Sequence, residues 1–270
     1  MVETITSFQN KRLKQVRKLR DKREREQTGL FVIEYGRDLE RALDYGYQVE
    51  YLLVCPALIG AHELTIMARL VGSSNVYEVA VDMMEKVSYR QNPSGLLAVM
   101  KQKIPANLDV IPDRATLCLA LVNLKKPGNV GALLRTADAA GIDAVLIVDS
   151  VLDHYNPNII RSSTGTCFVD SVYLAQTPDV FAFAESRSMR IVAAAVDAEQ
   201  SLFGVDFRVP SIIALGTEDQ GLSGAWLNGA DVKVHIPMQG EIADSLNVSV
   251  SGAILMYEAL RQRIRLDFDT

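Results

Sequence analysis

The sequence predicts an α/β protein with two domains, and three observations lead to this prediction. Strand-like runs alternate with helix-like runs, which in the C-terminal part requires crossover connections and therefore a mainly parallel sheet. A chain of 270 residues is long enough for two modest domains, each with its own core. A stretch with two prolines and no apolar periodicity divides the chain into a domain of residues 1–100, a linker of 101–114 and a domain of 115–270.

The first domain begins with a strongly basic segment. Lys11 to Arg25 carries nine lysines and arginines against two acidic residues, a charge of +7. The whole chain has a net charge of −5, so the residues outside this segment carry −12. Leu13, Val16 and Leu19 add a narrow apolar stripe, which predicts one amphipathic helix. Such a helix attracts phosphate even on an acidic protein, although a solvated helix face is the alternative.

The remainder of the first domain alternates short elements, which predicts a small α/β/α layer. The predicted strands are Leu30 to Glu34, Glu50 to Val54, Asn75 to Val79 and Leu96 to Met100. The predicted helices are Arg37 to Tyr45, Leu64 to Leu70 and Met83 to Val87.

The second domain shows the same alternation with longer helices. Its predicted strands are Thr116 to Leu121, Ala144 to Asp149, Ile191 to Val196, Ser211 to Leu215 and Val232 to Ile236. Its predicted helices are Val130 to Ala140, Asp179 to Ser188, Leu222 to Asn228 and Val250 to Arg263.

Three of these strands run into glycine-rich or polar turns. The first turn reads N-L-K-K-P-G-N-V-G-A-L-L-R-T-A from Asn123, and the second reads G-T-E-D-Q-G-L-S from Gly216. The third reads H-I-P-M-Q-G-E-I-A-D-S-L-N-V-S-V-S-G-A-I-L-M-Y from His235. The carboxyl ends of parallel strands meet at one edge of a sheet, so these turns predict a small-molecule site there.

Polar residues in these turns have both a functional and a structural interpretation. Asn129 is suited to capping the helix that follows it. Arg135 lies on an otherwise apolar helix, where a charged residue needs a partner or a function, and a salt bridge to Asp138 or to a neighbouring element is the structural interpretation. Glu218 fits a tight turn before a helix, where the helix dipole favours an acidic residue. Asn247 or Ser245 is a good N-cap for the last helix, which taken alone is an ordinary capped helix.

Composition limits the class of protein. No apolar run reaches the length of a membrane span and no N-terminal apolar region suggests a signal peptide. The three cysteines are far apart and lack a C-x-x-C pattern, which indicates reduced thiols and a cytoplasmic location. The three histidines have no metal-ligand spacing, so we expect no metal site.

The three turns, in this order and spacing, resemble the signature motifs of the SpoU/TrmH branch of the SPOUT RNA methyltransferases. The resemblance covers residues 115–270 and implies transfer of a methyl group from S-adenosyl-L-methionine to a ribose 2′-hydroxyl of RNA. The large N-terminal domain favours ribosomal RNA over transfer RNA, because relatives that modify transfer RNA often carry only short basic extensions. It also implies a C-terminal trefoil knot and a homodimer. For the dimer, Leu255, Met256 and Leu260 of the last helix are candidate interface residues, with the monomer core as the alternative.

The same resemblance implies roles for individual residues. The loop Gln239 to Asp244 is one residue longer than the usual pattern, so the places of its acidic residues are open. The implied catalytic residues are Asn129, Arg135, Glu218, Ser245 and Asn247. The implied cofactor-binding residues, which act mainly through backbone groups, are Leu215, Gly216, Thr217, Gly221, Ile236, Pro237, Met238, Ser245 and Leu246.

The first domain resembles the substrate-binding domain of this family, which is similar to ribosomal proteins that bind kinked RNA. The resemblance rests on the basic start and on F-V-I-E-Y-G-R-D-L, where Tyr35 separates a Glu and a Gly that are expected to be adjacent. The implied RNA-binding residues are Lys11, Arg12, Lys14, Arg17, Lys18 and Arg20.

Two other classes of protein fit less well. A catalytically idle RNA-binding or ribosome-assembly protein is the main alternative, but all five implied catalytic residues are present. A nicotinamide-binding protein is disfavoured because no G-x-G-x-x-G follows the first strand. Antibiotic-resistance methyltransferases share this layout, so the sequence leaves a resistance role open, as it does the target nucleotide.

Overall fold

The computed structural model describes residues 3–70, 72, 75–103 and 106–264. These residues form two compact units. Unit 1 holds the described residues of Met1–Ile104 together with Asp153–Val169, and unit 2 holds those of Pro105–Leu152 and Asp170–Thr270. The chain therefore leaves unit 2 once, contributes seventeen residues to unit 1 and returns.

Unit 1 is built on a five-stranded mixed sheet in the order β1-β4-β3-β5-β2. β5 runs antiparallel to both of its neighbours, and the remaining pairs are parallel. The strands are β1 (Glu3–Ile5), β2 (Leu30–Ile33), β3 (Val49–Val54), β4 (Asn75–Val79) and β5 (Leu96–Lys101). The helices are α1 (Lys11–Lys18), α2 (Lys22–Thr28), α3 (Gly36–Asp44), α4 (Ala61–Arg69), α5 (Val81–Val87) and α7 (Pro157–Ser163). The α/β character predicted for this region is confirmed, and β1 was not predicted.

The basic segment forms two helices where one was predicted. The chain breaks between α1 and α2 because Asp21 caps α2, accepting a hydrogen bond from the backbone N–H of Arg23 at 2.7 Å. Arg25, counted above among the phosphate-attracting charges, is buried. Its guanidinium bonds to the carboxylate of Asp153 and, at 2.7 Å, to the carbonyl of Leu19. Arg25 thus serves the core of unit 1, since a buried charge needs paired partners.

An aromatic cluster explains why Asp153–Val169 belongs to unit 1. The ring of Phe31 stacks on Tyr155 with centroids 4.4 Å apart, and Tyr47 meets Phe168 edge-on at 5.1 Å. Such pairs stabilise a core beyond their buried area. The sequence placed this segment within the 115–270 domain, and the structure differs because these contacts join residues more than a hundred positions apart.

One buried carboxylate in unit 1 has no hydrogen-bond partner among the described residues. Both side-chain oxygens of Asp38 in α3 are buried, and the ion pair with Arg37 spans 3.7 Å, which is longer than a hydrogen bond. Burial raises the pKa of Asp38 from 3.8 to about 6, against the opposing charges of Arg37 and Arg41. The folded protein therefore holds this proton more tightly than the unfolded chain.

Asp38→Asn is expected to stabilise the protein at pH 8 by about 1–3 kcal/mol, because asparagine has the shape of the protonated acid without the cost of ionising it. The folded pKa lies above the unfolded value, so the ionisation cost grows as pH rises from about 4 to above 6 and is absent below. Thermal unfolding of both proteins at pH 4 and pH 8 measures the difference. The exposed Asp138→Asn is the control, and an equal gain at the two pH values would contradict this account.

Unit 2 is built on a seven-stranded sheet in the order β10-β12-β9-β11-β6-β7-β8, and every strand pair in it is parallel. The strands are β6 (Leu117–Val122), β7 (Ala144–Val148), β8 (Val172–Ala175), β9 (Arg190–Ala194), β10 (Gln200–Ser201), β11 (Ser211–Leu215) and β12 (Val232–His235). The helices are α6 (Pro127–Ala139), α8 (Thr177–Ser186), α9 (Gly224–Gly229) and α10 (Val248–Arg263). The prediction of a mainly parallel sheet is confirmed, and the trefoil knot stays a prediction.

The predicted linker of 101–114 is partly structured. Residues 104 and 105 lie outside the described residues, but Leu108–Val110 form a 3-10 helix. Leu108 and Ile111 are buried in the core of unit 2 with the helix and strand residues around them. The boundary between the units thus falls after the first four residues of the predicted linker, because two isolated apolar residues suffice to anchor its later part in unit 2.

Candidate functional site

The carboxyl edge of the unit 2 sheet carries a segment with free backbone groups. Residues 237–246, between β12 and α10, make no backbone hydrogen bonds to any other part of the chain that the structure describes. Backbone N–H and carbonyl groups of a folded protein are nearly always paired with something, so here they are available to water or to a ligand. The segment is lined by half-buried Ile236, Pro237 and Leu246, and Met238 is more exposed.

A second loop at the same edge is closed by close backbone contact. Thr217 and Gly221 exchange two backbone hydrogen bonds of 2.9 Å and so form a narrow loop directly after β11. A Cβ added to Gly216 would lie 2.0 Å from the carbonyl carbon of Gly221 and 2.2 Å from the backbone nitrogen of Leu222. Only glycine fits at Gly216, and the resulting surface is made of backbone with little side-chain obstruction.

Hydrogen bonds between side chains connect the three motifs. Asn129 in α6 donates from Nδ2 to Oε1 of Glu218 at 2.7 Å. Asn247 donates from Nδ2 to Oδ1 of Asn129 at 3.3 Å and caps α10 by accepting from the backbone N–H of Ser249 at 2.9 Å. A carboxylate only accepts hydrogen bonds, so Glu218 fixes the orientation of the Asn129 amide, which in turn fixes that of Asn247.

The prediction that Asn129 caps its helix is wrong. α6 begins at Pro127 with Lys126 as its N-cap residue, so Asn129 lies inside the first turn. Proline at the first position of a helix needs no hydrogen-bond donor and sets the backbone angle, which makes a side-chain cap unnecessary. The prediction that Asn247 caps the last helix is confirmed.

Close packing holds α10 against α6 at this edge. A Cβ added to Gly252 of α10 would lie 2.3 Å from Cδ2 of Leu133 and 2.8 Å from Cδ1 of Leu215. The small residue lets the two helices approach, which brings the start of α10 beside the start of α6. The close approach of the two helices at Gly252 therefore brings Asn247 within hydrogen-bond distance of Asn129.

Arg135 is not part of this hydrogen-bonded chain. It lies about 9 Å further along α6 than Asn129, at 1.5 Å per residue. Its side chain is exposed, and within the described residues it forms no hydrogen bond or salt bridge, to Asp138 or to any other residue. The structural alternative for Arg135 is thus not supported, and its guanidinium is available to a partner from outside the chain.

Two features of this edge are not predicted by the sequence patterns. Lys125 pairs with Asp219 at 3.1 Å across the first two motifs, and its hydrogen bond lowers the pKa of Asp219. β9 lies between β11 and β12, so the loop of residues 195–199, with exposed Val196, opens at the same edge. Strand order alone reveals that loop, because no residue pattern marks it.

Ser245 is exposed on the free segment and has no hydrogen bond among the described residues.

The predicted RNA-binding residues lie on unit 1 and divide into two groups. Lys11, Lys14, Arg17 and Lys18 are exposed. Arg12 bonds to the hydroxyl of Tyr77 and stacks on its ring at 3.8 Å, and Arg20 donates hydrogen bonds to the carbonyls of Val87 and Ser88, so both already have structural contacts.

Other expectations concern partners and metals. Leu255 and Met256 are fully buried in the monomer and Leu260 is half-buried, so the first two belong to the core and not to a dimer surface. Within the ranges that the structure describes, no helix has the length and apolarity needed to cross a membrane. The same ranges contain no cluster of three His, Cys, Asp or Glu side chains able to hold a metal ion.

Two protein-family models match this sequence, one in its C-terminal part and one in its N-terminal part. The model of the SpoU rRNA Methylase family matches residues 116–257, and that of the MRM3-like substrate binding domain matches residues 10–98. A 23S rRNA (uridine(2479)-2′-O)-methyltransferase of Streptomyces viridochromogenes is 33% identical over 258 residues, covering 91% of this chain and 88% of that protein.

Comparison with solved structures gives matches over almost the whole chain. A crystal structure of an RNA 2′-O ribose methyltransferase has a TM-score of 0.84 at 40% identity, covering 97% of this chain and 99% of the other. An AdoMet-bound rRNA methyltransferase from Sinorhizobium meliloti has a TM-score of 0.87 at 26% identity, with the same coverage.

Proposed function

The chain belongs to the SpoU rRNA methylase family, and on that premise we propose that it methylates the 2′-hydroxyl of a ribose in ribosomal RNA with S-adenosylmethionine as methyl donor. The observation that carries the proposal is the hydrogen-bonded chain of Glu218, Asn129 and Asn247 beside two backbone-lined loops. An idle descendant of an enzyme has no need to keep these three side chains connected, whereas an active site does.

The two loops have the properties that an adenosine-containing cofactor needs. The loop closed at Gly216 offers a surface of backbone, and residues 237–246 offer free N–H and carbonyl groups beside the apolar side chains of Ile236 and Leu246. S-adenosylmethionine, when bound, supplies an electrophilic methyl group, and its transfer to the 2′-oxygen releases S-adenosylhomocysteine and a proton. The residues of the loops hold and align the reactants, which is proximity catalysis.

Arg135 supplies electrostatic stabilisation in this proposal. A guanidinium is not deprotonated in proteins, so it does not remove the proton of the 2′-hydroxyl. A guanidinium presents a fork of donors that fits a phosphate next to the reacting ribose, and its charge favours the oxyanion that develops on the 2′-oxygen. The exposure of Arg135 leaves these donors free for RNA.

Unit 1 binds the RNA, and two copies of the chain form a homodimer in the cytoplasm, where ribosomal RNA is found. Support for the dimer comes from exposed apolar side chains near the site: Ile242 is 95% exposed, and Val250 and Tyr257 lie two turns apart on α10. Exposed apolar groups of this kind are typical of interaction surfaces. The mass measured by light scattering is expected to be twice that of one chain.

Two measurements test the proposed function. Calorimetric titration with S-adenosylmethionine is expected to give a binding isotherm, whereas an idle RNA-binding protein gives no heat. Mass-spectrometric mapping of ribose methylation in ribosomal RNA, from cells with and without the gene, is expected to reveal one lost site. The absence of any difference at any nucleotide, together with the absence of cofactor binding, would overturn the proposal.

A further inference from the structure

Unit 1 contains a cleft that shares no lining residue with the loops of unit 2 described above. It opens between the end of α1, β2, the turn that follows α5, and α7, and the space at its mouth is about 530 Å³ when the open solvent there is counted with it. All of its lining residues belong to unit 1. The apolar part of the lining consists of Val16, Leu19, Val32, Val87, Pro157 and Ile160.

The turn at one side of the cleft is held in place from two directions. Glu34 accepts hydrogen bonds of 2.7 Å from the hydroxyl of Ser88 and from the backbone N–H of Tyr89, one on each carboxylate oxygen. Arg20 donates to the carbonyls of Val87 and Ser88 at 3.0 and 2.7 Å. Tyr89 is nevertheless 50% exposed. An exposed aromatic ring on an ordered turn indicates a surface prepared for contact, since little entropy is lost when it binds.

Cationic and aromatic groups alternate around the mouth. The guanidinium of Arg90 lies 4.0 Å from the ring centre of Tyr35, and that of Arg20 lies 5.6 Å from the ring centre of Tyr89. Arg161 on α7 is exposed and forms no side-chain hydrogen bond or salt bridge with the residues that the structure describes. Three arginines and one glutamate line the cleft, so its formal charge is +2.

We propose that this cleft binds one unpaired nucleotide of the RNA, with the base against Tyr89 and a phosphate on Arg161. This inference rests on the proposed function, because it assigns a place to the same substrate. A nucleobase is flat and stacks on aromatic rings and guanidinium planes, and its phosphate requires positive charge, which are the two features that this cleft combines. A double helix keeps its bases stacked inside, so the occupant is single-stranded.

The surroundings of the cleft fit a strand that continues past it. α1 contributes Val16 to the lining and presents Lys14, Arg17 and Lys18 to solvent from the same short helix. A strand that continues around α1 would meet these charges, which bind the RNA backbone without regard to sequence. The cleft thus supplies the base contact that the basic helix by itself lacks.

The test uses the full-length protein and a single-stranded RNA of about eight nucleotides that contains one 2-aminopurine, whose fluorescence falls when it stacks on an aromatic ring. Wild-type protein is expected to quench the probe. Tyr89→Ala is expected to abolish the quenching and weaken binding about tenfold, whereas Tyr89→Phe retains both. Arg161→Ala is expected to weaken binding about threefold and to reduce the slope of log K against log salt concentration by about 0.7, the value for one lost phosphate contact on a single strand.

Matched controls are Tyr45→Ala and Arg114→Ala, which remove an exposed ring and an exposed charge elsewhere. The proposal would be overturned if Tyr89→Ala and Arg161→Ala quenched the probe and bound the RNA as the wild type does. It would also be overturned if polyglutamate bound through Arg161 as tightly as the RNA does, because the site would then recognise negative charge alone. The assay needs neither cofactor nor methylation. A protein that quenches the probe but lacks methyl transfer contradicts only the proposed function, and an active enzyme without these effects contradicts only the cleft.

Discussion

Arg135→Ala is expected to lower the rate of methyl transfer by about 100- to 1000-fold, the loss typical when one group that stabilises developing charge is removed. Arg135 is exposed and unpaired within the described residues, so the substitution removes no structural contact and the melting temperature is expected to stay the same. Affinity for S-adenosylmethionine is also expected to be unchanged, because the two loops proposed to bind it are untouched.

Arg135→Lys refines this prediction. Lysine keeps the charge but not the planar fork of donors, so a loss of about tenfold or more is expected if the phosphate is held by two parallel hydrogen bonds. Single-turnover methylation of ribosomal RNA with saturating cofactor measures the chemical step. Arg114→Ala, which removes another exposed arginine of unit 2, is the control. Full activity in Arg135→Lys with normal RNA binding would contradict the bidentate role.

Gly216→Ala is expected to reduce the affinity for S-adenosylmethionine by more than about 100-fold, because the new methyl group needs space that backbone atoms occupy. The nearest atoms, 2.0 to 2.2 Å from the added Cβ, belong to the backbone of Gly221 and Leu222, and backbone does not move aside as a side-chain end does. The loop must open, which breaks the two Thr217–Gly221 hydrogen bonds and displaces Glu218 from Asn129.

Calorimetric titration and thermal unfolding separate the two effects of Gly216→Ala, since both cofactor affinity and melting temperature are expected to fall. Gly224→Ala is the matched control, because a Cβ there meets no atom within 4 Å and alanine favours the helix that Gly224 begins. Wild-type affinity in Gly216→Ala would place the cofactor away from this loop.

The predictable part of the molecule is what neighbouring residues specify. Buried strands that end in glycine-rich or polar turns predicted the parallel sheet and the order of the motifs. Asn247 was predicted correctly as an N-cap, because an N-cap depends on residues within one helical turn. The role of Asn129 was not accessible in this way, since its partner Glu218 is 89 positions away. Nothing near Asn129 in sequence distinguishes a cap from a hydrogen-bond donor to a distant carboxylate.

The charge of the basic segment shows the same limit. Arg25 looks like its neighbours in the sequence, yet its partner Asp153 is 128 positions away and turns it from a surface charge into a buried one. The nucleotide cleft was also hidden, because Tyr89 and Arg161 come from segments that have no sequence relation to each other. Pairings of this kind depend on the tertiary fold, and periodicity does not record them.

The excursion of Asp153–Val169 into unit 1 has a consequence for synthesis on the ribosome. Domains generally fold as units while the chain emerges, with the N-terminal one first. Here the N-terminal unit lacks the partner of Arg25 and half of its aromatic cluster until Phe168 has been made. By then β6 and β7, the first two strands of the second sheet, have already been synthesised. The two halves of the protein must therefore mature together, and a gene fragment that stops at the linker encodes a chain in which Arg25 lacks its carboxylate partner.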